Sequence, residues 1–223
     1  MDDRRTASEP RPRLVAAGRA SEIFDLGGGR VLRRFKSGGR PDREALVMRH
    51  ARRHGYPVPE VLEVAADALV LEKVEGPTMW KAAGERPSKV REHAALLARL
   101  HRDLHEIGAP DGLAAVGDGD RLLHLDLHPA NVILSPAGPV VVDWTNARRG
   151  EPAFDVAVTW VIGATSTGLG RLGRSFLRRF LAHFERSDLR RVLPAAAQYR
   201  LVDENVVDEE REAILDLLAA EGV

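Results

Sequence analysis

The chain has 223 residues, of which 44% are hydrophobic and 30% charged, and its 33 basic and 33 acidic side chains give a formal net charge of zero. Because the charges balance, no overall field would draw this protein to nucleic acid or to an anionic membrane surface. Cysteine is absent from the sequence, which excludes disulfides, cysteine-bound zinc and thiol catalysis.

Residues 1–12 are polar and include two prolines, so we predict a disordered N-terminus. This segment lacks the apolar region of a signal peptide, and no apolar run in the chain reaches the length of a membrane span. We therefore expect a cytoplasmic protein without a membrane partner.

The next segment has the pattern of a β-rich unit. Residues 21–26 alternate between apolar and polar, the glycines at 27–29 favour a hairpin turn, and residues 30–35 return as a strand. A helix is predicted from Pro41 to Arg53, ended by Gly55. Its buried side is expected to carry Ala45, Leu46, Met48 and Ala51. Two more strands are predicted at 60–64 and 68–74.

A mainly helical unit is predicted beyond residue 76. Ser88 is expected to cap a helix that runs to residue 106, because apolar residues recur there at helical spacing. A loop rich in glycine and aspartate follows at 108–120. Short strands are predicted at 122–125, 132–134 and 140–142. After Pro152 the pattern is helical to the end, with interruptions expected at 168–173, 187–188 and 194.

The most specific motif lies among these short strands. His124, Asp126 and Asn131 form His-x-Asp-x-x-x-x-Asn, and an apolar strand then ends at Asp143. Kinases have this catalytic-loop and metal-binding arrangement in this order. Phosphoryl transfer requires a carboxylate that accepts the proton of the attacking hydroxyl, for which Asp126 is the candidate. An amide oxygen and a second carboxylate hold Mg2+ against the nucleotide phosphates, which suits Asn131 and Asp143.

The sequence around this motif resembles the aminoglycoside phosphotransferase and choline kinase-like group of small-molecule kinases. The resemblance is carried by HLDLHPANVIL and VVVDWTNARRGEPAFDVA, whereas protein kinases have His-Arg-Asp and Asp-Phe-Gly. Upstream, similarity to the nucleotide-binding lobe of the group is seen in GRASEIFDLGGGRVLRRF, REALVMRHARRHGYPVPEVLEV and LVLEKVEGPTM.

The resemblance covers residues 14–165 and implies an α+β, protein kinase-like fold of two lobes. Residues 13–75 would form a small antiparallel β-rich N-lobe that binds nucleotide, and residues 76–223 a mainly helical C-lobe with the catalytic loop and the acceptor site. The implied activity is phosphorylation of a small-molecule hydroxyl with ATP, or alternatively GTP, and Mg2+.

The resemblance also implies a set of phosphate-binding residues. Gly18 and Ser21 occupy the place of the phosphate-covering loop, although an ordinary β-turn is an equal alternative. Arg33 falls where the group often has lysine, with Lys36 just beyond it as a possible substitute. Glu44 is the helix carboxylate expected to orient that cation. The guanidinium group of arginine is a planar fork, whereas the ammonium group of lysine is a point charge. An arginine at this position would therefore change how strongly the triphosphate binds.

The linker at 71–74 would hydrogen-bond the adenine edge through its backbone, with Glu72 and Val74 as site residues. Val31, Leu71 and Ile133 would either sandwich the base or belong to the core. Asp155 is expected to anchor the catalytic loop from the start of a helix.

The histidines of the motif allow a second interpretation. His124, Asp126 and His128 would share one face of a strand, as ligands of a metallohydrolase do, and His101 and His105 have helical i, i+4 spacing. This alternative leaves Asn131 and Asp143 unexplained. In the kinase interpretation His124 braces the loop, and His128 either stabilises it or touches substrate.

Other functions would also account for parts of the sequence. An inactive nucleotide-binding module is the main rival, supported only by Arg33. The arginine-rich stretch at 171–191 suggests nucleic acid, but its apolar residues recur at helical spacing, which favours a solvated helix face. The acceptor and the oligomeric state stay open. An acidic cluster would either attract a cationic aminoglycoside or begin a final helix; it comprises Asp203, Glu204, Asp208, Glu209 and Glu210.

Overall fold

The computed structural model describes residues 12–18, 21–36, 39–166, 170–203 and 206–223. The disorder predicted for residues 1–12 therefore lies outside the described residues, apart from Pro12. The order of strands, helix and strands predicted for the first part of the chain is confirmed.

The N-terminal part is an antiparallel sheet with the strand order β1-β2-β3-β5-β4. Glycines at positions 28 and 29, both with positive φ, form the turn between β2 and β3, which confirms the predicted hairpin. In β3 the side chain of Arg33 is buried beside that of Phe35, while Arg34 is exposed. The strands are β1 Arg13–Ala17, β2 Ser21–Gly27, β3 Arg30–Phe35, β4 Val61–Val64 and β5 Ala68–Glu72.

Helix α1, Pro41–Arg53, contacts β4 and β5 of this sheet and confirms the predicted helix. Its buried side includes Glu44, Val47 and Met48. The prediction that Leu46 lies on this side is wrong, since that side chain is 45% exposed. Successive side chains of an α-helix are rotated by about 100° around its axis. Because Ala45, Val47 and Met48 are on the buried side, the side chain of Leu46, between the first two, points away from it.

Most of the remaining chain is helical. Helix α6 packs mainly against α4, and α3 packs mainly against α5. Of the described helices, none has a long enough apolar stretch to cross a bilayer. The helices are α2 Met79–Glu85, α3 Val90–His105, α4 Pro152–Thr165, α5 Gly170–Leu181, α6 Arg186–Leu201 and α7 Asp208–Glu221.

Three local predictions about these helices are wrong. Ser88 lies inside a short 3-10 turn, Pro87–Lys89, and α3 begins without a side-chain cap. The breaks predicted at 187–188 and at Pro194 both fall within α6. Buried residues on both sides of Pro194 hold α6 against its neighbours, so tertiary packing outweighs the cost of a proline within a helix.

Short strands carry the catalytic motif between the sheet and the helices. β8 and β9 form an antiparallel hairpin, and the N–H of Val142 donates to the carbonyl of Asn131 at 3.0 Å, which brings Asn131 close to Asp143. The predicted strand at 122–125 is shorter than expected, and β10 was not predicted. These strands are β6 Ala115–Val116, β7 Arg121–Leu123, β8 Val132–Ser135, β9 Gly138–Val141 and β10 Arg148–Gly150.

The linker from β5 to α2 lies directly on the β8–β9 hairpin. Gly76 has φ of 143°, and a Cβ there would lie 2.3 Å from the carbonyl oxygen of Leu134. Leu134 in turn donates its N–H to the carbonyl of Pro77 at 2.9 Å. Only glycine fits this close approach. The lobe boundary predicted between residues 75 and 76 falls in this linker and stays a prediction.

Candidate active site

Asp155, which is fully buried in the first turn of α4, anchors the catalytic loop. Its carboxylate accepts the N–H groups of His124 at 3.2 Å and Leu125 at 2.7 Å, and also contacts Nε2 of His105 at 2.9 Å. These bonds hold Leu125 at a φ of 60°, in the left-handed region that a leucine rarely adopts. The predicted anchoring role of Asp155 is confirmed.

The ionisation of Asp155 fits this role. Burial by itself would raise the pKa of the carboxyl, but the hydrogen bond and the charge of His105 outweigh burial, and the pKa lies well below its ordinary value. Asp155 is therefore a carboxylate, and an ionised carboxylate is the stronger acceptor for backbone N–H groups.

His124 braces the loop with both ring nitrogens. Nδ1 accepts the N–H of Asp126 at 3.2 Å, so Nε2 carries the proton and donates it to the carbonyl of Val142 at 3.2 Å. Burial lowers the pKa of this imidazole. The bracing role predicted for His124 is confirmed, and no ring nitrogen is left to bind a metal.

Asp126 lies at the surface of the cleft, with its side chain 25% exposed. Nδ2 of Asn131 donates to the carboxylate of Asp126 and to its backbone carbonyl, both at 2.9 Å. Nε2 of His128 lies 3.4 Å from the other carboxylate oxygen, and its Nδ1 accepts the N–H of Ala130. The carboxylate is thus held in one orientation by its own loop.

Asp143, at the end of the hairpin, is joined to the sheet by Arg33. The Nη2 group of Arg33 donates to Oδ1 of Asp143 at 2.6 Å, and Nη1 lies 3.3 Å from Oε1 of Glu44. The Arg33 side chain is only 6% exposed, whereas that of Asp143 is 41% exposed. One guanidinium therefore links strand β3, helix α1 and Asp143, the second residue after β9.

Thr145 completes this cluster. Its hydroxyl oxygen accepts from Nη2 of Arg33 at 2.8 Å and lies 3.0 Å from Oε2 of Glu44 and 3.1 Å from Oδ1 of Asp143. The backbone N–H of Trp144 also donates to Glu44, at 3.3 Å. The Arg33 cluster, formed by Arg33, Glu44, Asp143 and Thr145, thus has its two carboxylates on one cation.

Within the Arg33 cluster, Arg33 and Asp143 stabilise each other's charge, whereas burial raises the pKa of Glu44. Burial alone would raise the pKa of Asp143, but the nearby Arg33 charge outweighs burial and lowers it. Burial likewise opposes the charge on Arg33, yet the two carboxylates raise its pKa. Both groups are therefore ionised at neutral pH.

Gly18, Ser21 and Lys36 meet at the edge of the sheet. The N–H of Gly18 donates to the carbonyl of Ser21 at 2.8 Å, which is a turn-like contact, and Nζ of Lys36 donates to the carbonyl of Gly18 at 2.8 Å. Residues 19 and 20, between them, lie outside the described residues. Lys36 is exposed, and among the described residues it contacts no member of the Arg33 cluster.

The predicted adenine linker, residues 71–74, comprises the last two residues of β5 and the two that follow it. The N–H of Glu72 donates to the carbonyl of Glu60 at 2.9 Å, and that of Lys73 donates to Gly29 at 2.8 Å. Within the described part of the chain, the N–H of Val74 has no acceptor. The Glu72 side chain accepts the N–H of Glu60 and contacts no residue of the Arg33 cluster. Of the two predicted linker residues, Val74 retains a backbone donor.

A cavity of about 780 Å³ opens beside Asp126 and Asp143. Apolar side chains of α3, α4 and α5 form much of its wall. At its mouth Arg200, only 18% exposed, donates to Glu210 at 2.8 Å and to Asp203 at 2.7 Å. The predicted acidic cluster is therefore partly neutralised by Arg200. Its residues 208–210 form the first turn of α7, as expected for the start of a helix, while Glu204 lies outside the described residues.

The metallohydrolase alternative has no ligand set. Among the described residues, no three His, Cys, Asp or Glu side chains are grouped so that they could hold a metal ion. His101 is fully buried, with Nδ1 on the carbonyl of Leu97 and Nε2 on Thr159, and burial lowers its pKa to about 4. His105 pairs with Asp155.

Two residues of the site were missed by sequence reasoning, Thr145 and Arg200. Thr145 stands two positions after Asp143, and its closeness to the motif in the sequence could have identified it as a site residue. Arg200 had no such signal, because its role depends on the packing of α6 against α7.

Comparison with known proteins gives three kinds of match. Residues 13–121 and 112–195 match the sequence model of APH, the phosphotransferase enzyme family. A probable serine/threonine-protein kinase BUD32 homolog from Archaeoglobus fulgidus is 30% identical over 144 residues, which is 62% of this chain and 64% of that protein's length.

Solved structures are similar in fold. Aminoglycoside phosphotransferase APH(4)-Ia matches with a TM-score of 0.67 at 18% identity, covering 95% of this chain and 94% of that one. A choline/ethanolamine kinase family protein from Mesorhizobium loti matches with a TM-score of 0.60 at 18% identity, covering 97% and 88%. The streptomycin-ATP-APH(2")-IIa ternary complex matches with 0.61 at 14% identity, covering 96% and 92%. The protein kinase-like α+β fold predicted from the sequence is confirmed.

Proposed function

Since the chain belongs to the phosphotransferase enzyme family, we propose that it transfers the γ-phosphoryl group of ATP, with Mg2+, to a hydroxyl of a small-molecule acceptor. The observation that carries this proposal is the arrangement around Asp126. Its carboxylate is held by Asn131 on a loop braced from the core, and it faces a cavity rather than bulk solvent alone. This is the placement that a general base for an acceptor hydroxyl requires.

Asp126 would orient the acceptor hydroxyl and take its proton as the oxygen attacks the γ-phosphorus. Because Asn131 donates to Oδ2, the carboxylate keeps Oδ1 for the acceptor, with His128 beside it. His128 would then stabilise the carboxylate or contact the acceptor.

Asn131 and Asp143 have the donor chemistry for Mg2+. The amide N–H₂ of Asn131 is directed at Asp126, which leaves its oxygen as a ligand, and Oδ2 of Asp143 is not taken by Arg33. Mg2+ in such sites is held by one or two protein oxygens together with substrate phosphates, so a larger all-protein ligand set is not needed. When bound, the ion neutralises charge on the transferring phosphoryl group.

The Arg33 cluster would receive the nucleotide phosphates. Nε of Arg33 is buried and has no acceptor among the described residues. A buried donor without an acceptor costs about 1–3 kcal/mol, and a phosphate oxygen would remove that cost. Glu44 would hold the guanidinium, and the free N–H of Val74 would meet the adenine edge. The solved relative that contains ATP supports nucleotide binding at this fold, and GTP is the alternative donor.

A small-molecule acceptor is supported by the shape of the cleft. A cavity of about 780 Å³ is within the range of small-ligand sites. The acceptor itself is to be found by experiment. Aminoglycosides, amino alcohols and sugars are the first classes to screen, with a serine-containing peptide included because one relative is named a protein kinase.

The test combines binding and turnover. Calorimetry with Mg2+ and ATP or GTP should show binding, and an ADP-release screen across the acceptor classes should find turnover. Asp126→Asn should bind Mg·ATP nearly as the wild type does, yet lose about 10²–10⁴-fold in rate. Asp143→Ala should lose turnover and Mg-dependent nucleotide binding together.

The alternative, an inactive nucleotide-binding module, makes a different prediction. It would bind nucleotide but release no ADP with any acceptor, and Asp126→Asn would change nothing. If Asp126→Asn abolished nucleotide binding as fully as Asp143→Ala does, the assignment of Asp126 as the base would be wrong.

A further inference from the structure

A second cavity, of about 670 Å³, lies between α4 and α5. We call it the α4–α5 cavity. Its floor is apolar and includes Trp160, Leu177, Leu181 and Phe184. Trp160 is only 3% exposed and lies under Arg186, whereas Leu177, Leu181 and Phe184 are partly exposed. The floor could therefore bury an apolar group of a ligand at little cost in reorganisation.

The rim of the α4–α5 cavity is positively charged. Arg174, Arg178 and Arg186 line it, and no Asp or Glu is among the described lining residues. Arg186 pairs with Glu221 and lies over the ring of Trp160 at 4.1 Å. Within the described chain, Arg174 and Arg178 have neither an ion-pair partner nor a hydrogen-bond acceptor. Two guanidinium groups thus flank an apolar floor without any counter-charge.

The α4–α5 cavity adjoins the cleft that contains Asp126. Gly163, Ser166 and Leu177 line both cavities. A Cβ at Gly163 would lie 2.9 Å from Cδ1 of Leu177, so that leucine rests directly on the backbone of α4. These three residues therefore form the wall between the two cavities.

We propose that the α4–α5 cavity binds an organic anion with an apolar body. A carboxylate or phosphate head group would pair with Arg174 and Arg178, for which guanidinium groups have the matching fork geometry. The apolar body would cover the partly exposed side chains of Leu177, Leu181 and Phe184. A cation of the same shape would be repelled by Arg174 and Arg178, and a neutral molecule would leave both arginines without a partner.

Such an anion could be a separate ligand or the far end of an elongated acceptor. The shared chemistry is the same in both cases, since either molecule presents an apolar chain that ends in a negative group. Because the two cavities adjoin at Leu177, experiments can test both sources of the anion.

The binding test uses three probes with the same ten-carbon chain: decanoate, decanol and decyltrimethylammonium. Calorimetry without nucleotide should show that decanoate binds most tightly and that the cation does not bind. Arg174→Glu and Arg178→Glu should each weaken decanoate binding at least about tenfold, as expected for loss of a charge-assisted bond. Arg179→Glu is the matched control, because Arg179 is exposed on α5 but does not line the cavity.

Equal binding of the cation and the anion, or decanoate binding that survives both charge reversals, would overturn the proposal. All three arginines mutated are exposed, so the variants should fold, and their melting temperatures would verify this. The decanoate measurement does not require catalysis. If decanoate does not bind but turnover is intact, only this inference is refuted. If decanoate binds but no acceptor is turned over, only the proposed function is refuted.

A second arm assigns the source of the anion with 10-hydroxydecanoate and ATP. As an acceptor, its hydroxyl oxygen would bond to the γ-phosphorus while the bond to the β–γ bridging oxygen breaks, ADP leaves and the proton passes to Asp126. Release of ADP, with KM raised at least about tenfold by Arg178→Glu, would assign the anion to the acceptor. Binding of 10-hydroxydecanoate without ADP release would assign the cavity to a separate ligand.

Discussion

Asp155→Asn is expected to destabilise the protein strongly and to misplace the catalytic loop. The carboxylate is fully buried and accepts three hydrogen bonds, from His105, His124 and Leu125. An asparagine has one acceptor oxygen, so in either orientation its N–H₂ group faces at least one of these donors. Hydrogen bonds to a charged group contribute about 1.5–3 kcal/mol each, and breaking a buried charged pair costs about 3–5 kcal/mol.

We therefore expect Asp155→Asn to lower the free energy of unfolding by about 3–5 kcal/mol. At about 2–4 °C per kcal/mol for a chain of this size, the melting temperature should fall by about 6–20 °C. Turnover should also fall, because Asp126 follows Leu125 directly, while nucleotide binding should be affected less. Urea unfolding followed by tryptophan fluorescence measures the first effect, and ADP release with calorimetry measures the second.

The acid range gives an independent check. The pKa of Asp155 is lowered in the folded state, so the stability that it contributes is present above the unfolded pKa of about 3.9 and is lost as pH falls below it. Between pH 5 and pH 3 the wild type should lose more unfolding free energy than Asp155→Asn does.

Asp42→Asn is the matched control, since Asp42 also lies in the first turn of a helix but is exposed. It should leave stability nearly unchanged. If Asp155→Asn unfolds within about 1 kcal/mol of the wild type, or has the same acid profile, the anchoring role derived for Asp155 is refuted.

Three further predictions concern single side chains. Thr145→Val should weaken Mg-dependent nucleotide binding and lower the melting temperature by several degrees, because Arg33 loses an acceptor worth about 1.5–3 kcal/mol. Calorimetry and thermal unfolding test this. Thr145→Ser, which keeps the hydroxyl, should have the binding and the melting temperature of the wild type. Arg33→Ala should weaken nucleotide binding markedly in calorimetry while Lys36→Ala does not, and the reverse ranking would contradict the assignment of Arg33. Met48→Ala should cost about 2–5 kcal/mol in urea unfolding and Leu46→Ala less than about 0.5 kcal/mol, since only Met48 is buried; comparable losses would contradict the observed face of α1.

The sheet and the catalytic loop could be predicted because their signals are local. Alternation along β3 placed Arg33 and Phe35 on the inner face, and a one-residue shift would have exposed both. The spacing of Asp126 and Asn131 reflects a hydrogen bond between these two side chains, which are only five residues apart. Patterns of this length can be read from a sequence directly.

The remaining features depend on contacts between distant segments. Thr145 lies 3.0 Å from Glu44, which is 101 residues away in the sequence, and no local pattern announces such a contact. Pro194 is accepted in α6 only because α4 packs along it. Helix α2 is different, since Thr78 caps it by accepting the N–H of Lys81 at 3.2 Å, and that cap was a readable signal.

The link between Arg33 and Asp143 also bears on the order in which ligands arrive. A free divalent ion would meet a carboxylate with one oxygen already shared by Arg33 and Thr145, beside a buried guanidinium that repels it. Phosphates delivered with the ion would supply its missing oxygen ligands and give Arg33 another acceptor. We therefore expect the empty protein to have little affinity for Mg2+ alone. By linkage the nucleotide would raise the affinity for the ion and the ion would raise that for the nucleotide by the same factor, so the two would enter as one complex.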